Sequence, residues 1–148
     1  MFHVEKPQNF TSTHAGSICF VECKGEFLLL KRSPHSLQGN SWTAAPGGKL
    51  EPGESPLEAA VRELWEETGI RLESSKLQFL QTVYFQFPDR EYALHLFYTS
   101  IPEKPPVTLM AEEHTEYAWA SFEKALQMPL MQGGKECIDL CHNWLQRN

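Results

Sequence analysis

One stretch, Gly47–Ile70, constrains this chain more than any other, and it reads GGKLEPGESPLEAAVRELWEETGI. Ser55 is a suitable N-cap, and the glutamate three positions later completes a capping box. Pro56 suits the first position of a helix, and Gly69 suits the position just after its end. The stretch therefore predicts a Gly-rich loop followed by a helix from Pro56 to Thr68.

The two faces of this predicted helix differ in character. Small and apolar side chains recur at helical spacing and should face the core: Leu57, Ala60, Val61, Leu64 and Thr68. Glu63, Glu66 and Glu67 stand at i, i+3 and i+4, so they share another face. Their charges repel one another, and a hard divalent cation such as Mg²⁺ would offset the repulsion. A solvated acidic face on an ordinary helix is the competing interpretation.

The loop before the helix favours the metal interpretation. Gly47 and Gly48 leave the backbone bare, so its carbonyl and amide groups can approach a metal or a phosphate closely. Glu54 precedes the helix and Arg62 lies within it. An acid–arginine pair at these positions would hold the loop against the helix and support a metal site from behind.

The order of these residues resembles the signature of the Nudix hydrolases. Every fixed position of that signature is filled, in sequence by Gly48, Glu54, Arg62, Glu63, Leu64, Glu66, Glu67, Gly69 and Ile70. The resemblance implies an α/β fold, the Nudix α/β/α sandwich with a mixed sheet and a loop–helix–loop signature. It also implies Mg²⁺-dependent hydrolysis of a nucleoside diphosphate linked to a further group, with Mn²⁺ as an acceptable substitute.

The rest of the chain looks like one branch of that family, the MutT-type nucleoside triphosphate pyrophosphohydrolases. The tetrad Phe87-Pro88-Asp89-Arg90 follows the strand after the signature helix, as a similar tetrad does in that branch. Gln132 stands where that branch has an asparagine that reads guanine, so the base preference stays open. The resemblance implies a set of substrate-binding residues: Arg32, Phe87, Asp89, Arg90 and Gln132.

The resemblance also assigns the catalytic and metal-binding roles. It makes Glu66, Glu67 and the Gly47 carbonyl metal ligands, and it makes Glu63 either a further ligand or the base that activates water. It leaves Glu54 and Arg62 to orient the helix and the loop. A distal metal ligand is expected among Glu112, Glu113 and Glu116, and Glu113 is preferred because it stands six residues before Trp119.

These assignments predict an enzyme that cleaves an acid anhydride. The expected substrate is a (deoxy)nucleoside triphosphate, including an oxidised one such as 8-oxo-dGTP, attacked at the β phosphorus to give a nucleoside monophosphate and pyrophosphate. ADP-ribose, a nucleotide sugar and a dinucleoside polyphosphate are the alternatives within the family. A nucleotide-binding module without catalysis and an RNA end-processing enzyme are the alternatives outside this reaction.

The length and net charge of the chain limit the number of domains and the kinds of binding partner that are expected. A chain of 148 residues is expected to form a single Nudix hydrolase domain over 1–148. Its net charge of −6 argues against a surface that binds a nucleic acid polymer, although it does not exclude a nucleotide bound through a metal. The sequence shows neither a signal peptide nor a membrane span, so we expect a cytoplasmic protein, as a monomer or a homodimer.

The remaining elements follow from local patterns. We predict strands over 13–23, 26–31, 77–86, 92–99 and 117–120, and further helices over 121–127 and 135–146. Lys24-Gly25 and Pro88-Asp89 are expected to form hairpin turns. The four cysteines, in two pairs with three residues between partners, are expected to be buried reduced thiols, with a metal site as the alternative.

Overall fold

A computed structural model describes residues 1–148. Its seven strands are β1 (Phe2–His3), β2 (Ala15–Cys23), β3 (Glu26–Arg32), β4 (Gly47–Lys49), β5 (Gln78–Phe87), β6 (Arg90–Ser100) and β7 (His114–Ala120). Its helices are α1 (Pro56–Thr68), α2 (Phe122–Ala125) and α3 (Gly134–Arg147), and a 3₁₀ turn covers Ser74–Lys76. The strands form one sheet in the order β1-β5-β6-β2-β3-β7, and β4 pairs with β2. Only the β2–β6 pair is parallel, so the sheet is mixed as expected.

Side chains that alternate along the central strands fill two separate cores. Phe20, Phe27 and Leu29 pack with residues of α3 on one face of the sheet. Their neighbours along β2 and β3, among them Val21 and Leu28, pack with α1 on the other face. A strand buried on both faces has apolar residues at successive positions, which explains the run FLLL in β3. The arrangement confirms the predicted α/β/α sandwich.

Helix α1 has the predicted bounds, and its caps explain them. Ser55 accepts a hydrogen bond from the Glu58 amide while the Glu58 side chain accepts one from Ser55, which completes the capping box. Gly69 ends the helix with φ of 78°, in the left-handed region that glycine adopts without strain. The predicted inner face is buried at Ala60, Leu64 and Thr68, whereas Leu57 and Val61 are partly buried at its margin.

Two tight turns fix the registers that matter for the site. Lys24 and Gly25 both have positive φ, 52° and 84°, as a two-residue hairpin between right-twisted strands requires. Pro88 and Asp89 form the turn between β5 and β6, which places Phe87 opposite Arg90. Both hairpin predictions are therefore confirmed.

The sequence failed to predict two short strands and misplaced several boundaries, among them the start of β7 and the end of α2. Strand β1 has two residues, and β4 is the sequence GGK, so neither carries the pattern of a strand. Strand β7 begins at His114 rather than at 117. Helix α2 ends at Ala125 rather than at 127, because the backbone continues in turns with three-residue spacing before Pro129.

All four cysteines are buried and free. The two pairs lie in different parts of the molecule: Cys137 and Cys141 belong to the core under α3, and Cys19 belongs to the core under α1. Burial among apolar side chains accords with the interpretation as reduced thiols. None of the three helices has the length and apolar character that crossing a membrane would require.

Candidate active site

The two glycines of β4 allow the backbone to lie directly against β2 and α1. A Cβ atom on Gly47 would lie 2.1 Å from the carbonyl oxygen of Ser17 in β2. A Cβ atom on Gly48 would lie 2.6 to 2.7 Å from the carboxyl atoms of Glu63. Any side chain at either position would therefore push the strand away from β2 or push Glu63 out of its place.

Glu67 is the buried carboxyl group of the site. Its exposed fraction is 6%, and its Oε1 accepts a hydrogen bond of 2.9 Å from the Gly47 amide. Burial raises the pKa of Glu67 to about 8, helped by the charges of Glu63 and Glu113 and opposed by the Gly47 amide and by Arg32. A carboxyl group with this pKa carries a proton at neutral pH until a cation takes the place of that proton.

Of the three acidic candidates near β7, Glu113 is the one that joins this cluster. Ligand atoms of Glu67, Glu113 and His114 all lie within 4.8 Å of one another. Glu112 is not part of this group, and Glu116 points elsewhere, where it forms an ion pair of 3.1 Å with Lys31. The backbone holds the turn in place, since the Ser33 amide donates to the Glu113 carbonyl oxygen at 2.9 Å.

His114 is a site residue that the sequence analysis missed. A break in the pairing of β3 with β7 explains its position: Lys31 pairs with Glu116, but Arg32 pairs with His114, so β7 has one extra residue there. Simple alternation from Ala120, which lies in the core under α3, would turn His114 toward that core. The bulge turns it to the opposite face, beside Glu67, as bulges near functional sites often do.

The His114 ring is buried, with an exposed fraction of 3%. Its Nδ1 atom has no hydrogen-bond partner. Burial, together with the positive charge of Arg32, lowers the pKa of His114 to about 4, so the imidazole is neutral at pH 7. The donors gathered here, two carboxylates and a neutral imidazole, are of the kinds that bind divalent cations in proteins.

Arg62 ties the loop, the helix and the carboxylates together. It forms a bidentate pair with Glu54, with N–O distances of 2.7 and 2.9 Å. The same guanidinium donates to Glu63 at 2.9 Å, to Glu66 at 3.0 Å and to the Lys49 carbonyl oxygen at 3.0 Å. The hydrogen bonds to Glu54 and then to Glu63 raise the pKa of Arg62 further, so its charge is permanent.

The remaining two helix carboxylates differ in exposure. The Glu63 side chain is 15% exposed, against 42% for Glu66. Burial raises the pKa of Glu63, and the hydrogen bond from Arg62 opposes that effect. We call the group formed by Gly47, Gly48, Glu63, Glu66, Glu67 and Glu113, with Arg62, the carboxylate end of the site.

Arg32 lies beside the carboxylate end. Its Nε donates to the Leu37 carbonyl oxygen at 2.7 Å, which closes the loop between β3 and β4 onto the guanidinium. Its charge lowers the pKa of both Glu67 and His114. A cation at this position is well placed to attract an anionic ligand to the carboxylate end.

A second group of predicted residues meets at the β5–β6 turn. The guanidinium carbon of Arg90 lies 5.1 Å from the centre of the Phe87 ring and 5.9 Å from that of Tyr92. Arg90 also donates to the Gln132 side-chain oxygen at 3.3 Å. Asp89 is exposed at the tip of the turn and takes no part in these contacts.

Gln38 joins this group, although no sequence pattern indicates that it should. Its side-chain oxygen accepts a hydrogen bond of 2.7 Å from the backbone amide of Gln132. Its Nε2 atom and the Nε atom of Arg90 are both buried donors without a partner. Gln38 has φ of 54°, an uncommon backbone conformation for this residue type. We call Gln38, Phe87, Arg90 and Gln132 the hairpin end of the site.

Comparison with known proteins identifies the family. A family model described as the NUDIX domain matches residues 12–141. The CTP pyrophosphohydrolase of Escherichia coli (strain K12) is 39% identical over 110 residues, which cover 74% of this chain and 77% of that protein. The phosphatase NudJ of the same strain is 31% identical over 115 residues, covering 77% and 72%.

A solved structure agrees with the sequence relatives. The MutT protein from Methanosarcina mazei Go1 superposes with a TM-score of 0.75 at 31% sequence identity, covering 91% of this chain and 94% of that one. The family match spans β2 to α3, and so includes both ends of the site. The chain therefore belongs to the Nudix family as a MutT-like hydrolase that acts on the pyrophosphate bonds of nucleotide substrates.

Proposed function

We propose that this chain is a nucleoside triphosphate pyrophosphohydrolase, which yields a nucleoside monophosphate and pyrophosphate. The observation that carries the proposal is the convergence of Glu67 and Glu113 with the Gly47 backbone at the carboxylate end. The name of the 39% identical relative, CTP pyrophosphohydrolase, supports a triphosphate substrate and makes CTP the first nucleotide to test.

The donor set favours a divalent cation as cofactor, either Mg²⁺ or Mn²⁺. Glu67 and Glu113 would hold it, and Glu66 and the Gly47 carbonyl would add oxygen ligands. Such a cation would supply electrostatic stabilisation of the charge that develops on the phosphates as the nucleoside monophosphate leaves, and a lower pKa for the attacking water. Glu66 contacts Arg62 at 3.0 Å, so its contribution requires that contact to lengthen or break.

Glu63 is the residue best suited to accept the proton of the attacking water. It lies on the face of α1 that carries Glu66 and Glu67, and burial raises its pKa toward the range of a useful base. Arg62 fixes its orientation, and Glu54 in turn fixes Arg62. The water oxygen bonds to the β phosphorus, the α–β bridging oxygen leaves with the monophosphate, and Glu63 takes the proton.

The hairpin end is proposed to hold the base. The rings of Phe87 and Tyr92 offer stacking surface beneath Arg90, and Gln132 offers an amide that can exchange hydrogen bonds with a base edge. Arg32, which lies beside the carboxylate end, is proposed to contact the nucleotide through its charge. Asp89 is proposed to act only if the turn moves, because it is exposed and lacks contacts.

A product assay tests the proposal. The chain is incubated with Mg²⁺ or Mn²⁺ and CTP, the other common (deoxy)nucleoside triphosphates, 8-oxo-dGTP, ADP-ribose, a nucleotide sugar, a dinucleoside polyphosphate and a 5′-triphosphate RNA. We expect monophosphate and pyrophosphate in equal amounts from at least one triphosphate. In water labelled with heavy oxygen, the label should enter pyrophosphate rather than the monophosphate, because attack is at the β phosphorus.

Several results would overturn the proposal. Release of orthophosphate and a nucleoside diphosphate would mean that the γ phosphate is cleaved. Turnover of ADP-ribose, a nucleotide sugar or a dinucleotide alone would keep the chemistry of the carboxylate end and replace the substrate class. Label in the monophosphate would move the attack to the α phosphorus.

A further inference from the structure

We propose that His114 supplies a nitrogen ligand to the cation held by Glu67 and Glu113, which gives this centre a preference for Mn²⁺ over Mg²⁺. The inference rests on the proposed metal-dependent function and deepens it, because it names the class of ion that the site takes. It concerns a residue that lies outside the Nudix signature stretch, Gly48–Ile70.

The geometry of the ring supports a ligand role. A ligand atom of His114 lies within 4.8 Å of carboxylate oxygens of Glu67 and Glu113, a separation that one shared ion can span. Only 3% of the His114 residue is exposed, and its Nδ1 atom has no hydrogen-bond partner. A buried polar atom without a partner is costly, and an ion bound at that nitrogen would offset the cost.

A second histidine in the same sheet shows what a structural histidine does here. His95 in β6 lies with its Nδ1 at 2.7 Å from the Thr82 hydroxyl on the neighbouring strand. His114 has no such hydroxyl, and the extra residue in β7 turns it to the face that carries Glu67. A bulge that serves only to end the strand would not need to direct a histidine at two carboxylates.

The ligand types then determine the ion. Mg²⁺ strongly prefers oxygen ligands and retains several waters. An imidazole nitrogen suits first-row transition metal ions better than Mg²⁺, and Mn²⁺ is the ion among them that is also suited to carboxylate oxygens. A centre with two carboxylates and one imidazole should therefore bind Mn²⁺ more tightly than Mg²⁺.

Pulsed electron paramagnetic resonance of the tag-free chain loaded with Mn²⁺ tests the inference directly. We expect hyperfine coupling from one imidazole nitrogen in the wild type and its loss in His114→Asn. The matched control is His35→Asn, because His35 is exposed in the loop after β3 and should keep the coupling. Titration should show roughly tenfold weaker Mn²⁺ binding in His114→Asn, with a smaller change for Mg²⁺.

The outcomes separate the inference from the proposed function. A wild-type Mn²⁺ complex without nitrogen coupling overturns the inference, whether or not the variant folds, and pyrophosphate release would then leave the function standing. Nitrogen coupling that persists in His114→Asn, or that disappears in His35→Asn, also overturns it. Nitrogen coupling without turnover of any nucleotide would support the metal site and defeat the proposed function.

Discussion

The carboxylate end and the hairpin end are assembled from different amounts of sequence. Most of the carboxylate end comes from one stretch, Gly47–Glu67, in which a capped helix fixes the spacing of every side chain. The hairpin end combines a loop residue, Gln38, with the β5–β6 turn and with Gln132 just before α3. Local chain geometry therefore determines the first end, whereas tertiary packing determines the second.

This difference has a functional consequence. The carboxylate end is held by a buried carboxyl group and a guanidinium with five hydrogen bonds. Even a conservative substitution there should therefore lower the activity strongly. The hairpin end relies on single hydrogen bonds and ring contacts of exposed or half-buried side chains. We therefore expect variants at the first end to change kcat, and variants at the second to change KM.

The largest effect is expected from Glu67→Gln, which keeps the shape of the side chain and removes its charge. Losing one electrostatic stabiliser of this kind should lower kcat by about 10²-fold or more. Steady-state kinetics on the best nucleotide checks the prediction. The control is Glu116→Gln, whose exposed ion pair with Lys31 lies outside the carboxylate cluster, so kcat should stay near wild type. An active Glu67→Gln would remove Glu67 from the site.

The next effect concerns Arg62→Lys, which keeps a positive charge and loses the bidentate geometry. Lysine cannot pair with both Glu54 oxygens while also contacting Glu63 and Glu66, so the carboxylates proposed as metal ligands lose their support. We expect roughly 10- to 100-fold lower metal affinity or activity. Arg71→Lys, at a site where the arginine stacks on the exposed Trp65 ring, should change neither. Equal effects at both positions would mean that charge alone matters.

A third effect is the coupling of metal binding to protons. Because the pKa of Glu67 is raised to about 8, its carboxyl group is protonated at pH 7 and must lose that proton when it binds a cation. Metal affinity should thus rise by up to about tenfold per pH unit between pH 6 and 8 and level off above pH 8. Calorimetric titration in two buffers of different ionisation enthalpy measures the proton released. Binding that releases no proton at pH 7 would contradict the prediction.

These contrasts also explain what the sequence could and could not predict. The α/β/α sandwich, the bounds of α1 and both tight turns followed from caps, turn residues and alternation, which act over a few residues. His114 could not be found, because the extra residue at Thr115 reverses the face that alternation predicts. Gln38 could not be found either, because its contact with Gln132 joins residues 94 positions apart in the chain.

The smallest effect is expected at the hairpin end, from Gln38→Asn. Asparagine tolerates the positive φ of this position. Its shorter side chain cannot reach the backbone amide of Gln132, which now donates to the Gln38 side-chain oxygen at 2.7 Å. Gln132 then loses one hydrogen bond and some of its orientation. A net loss of about 0.5–1.5 kcal/mol corresponds to a KM roughly twofold to tenfold higher, with kcat unchanged.

Gln127→Asn is the matched control, since Gln127 is exposed in the turn after α2 and its side chain has no contact with the site. It should leave both kcat and KM at the wild-type values. Kinetics across several bases would sharpen the comparison, because a base-reading role predicts that Gln38→Asn narrows the difference in KM between nucleotides. If Gln38→Asn lowered kcat as strongly as Glu67→Gln does, the two ends could not be separate in function, and the loop after β3 would have to act on the reacting phosphates themselves.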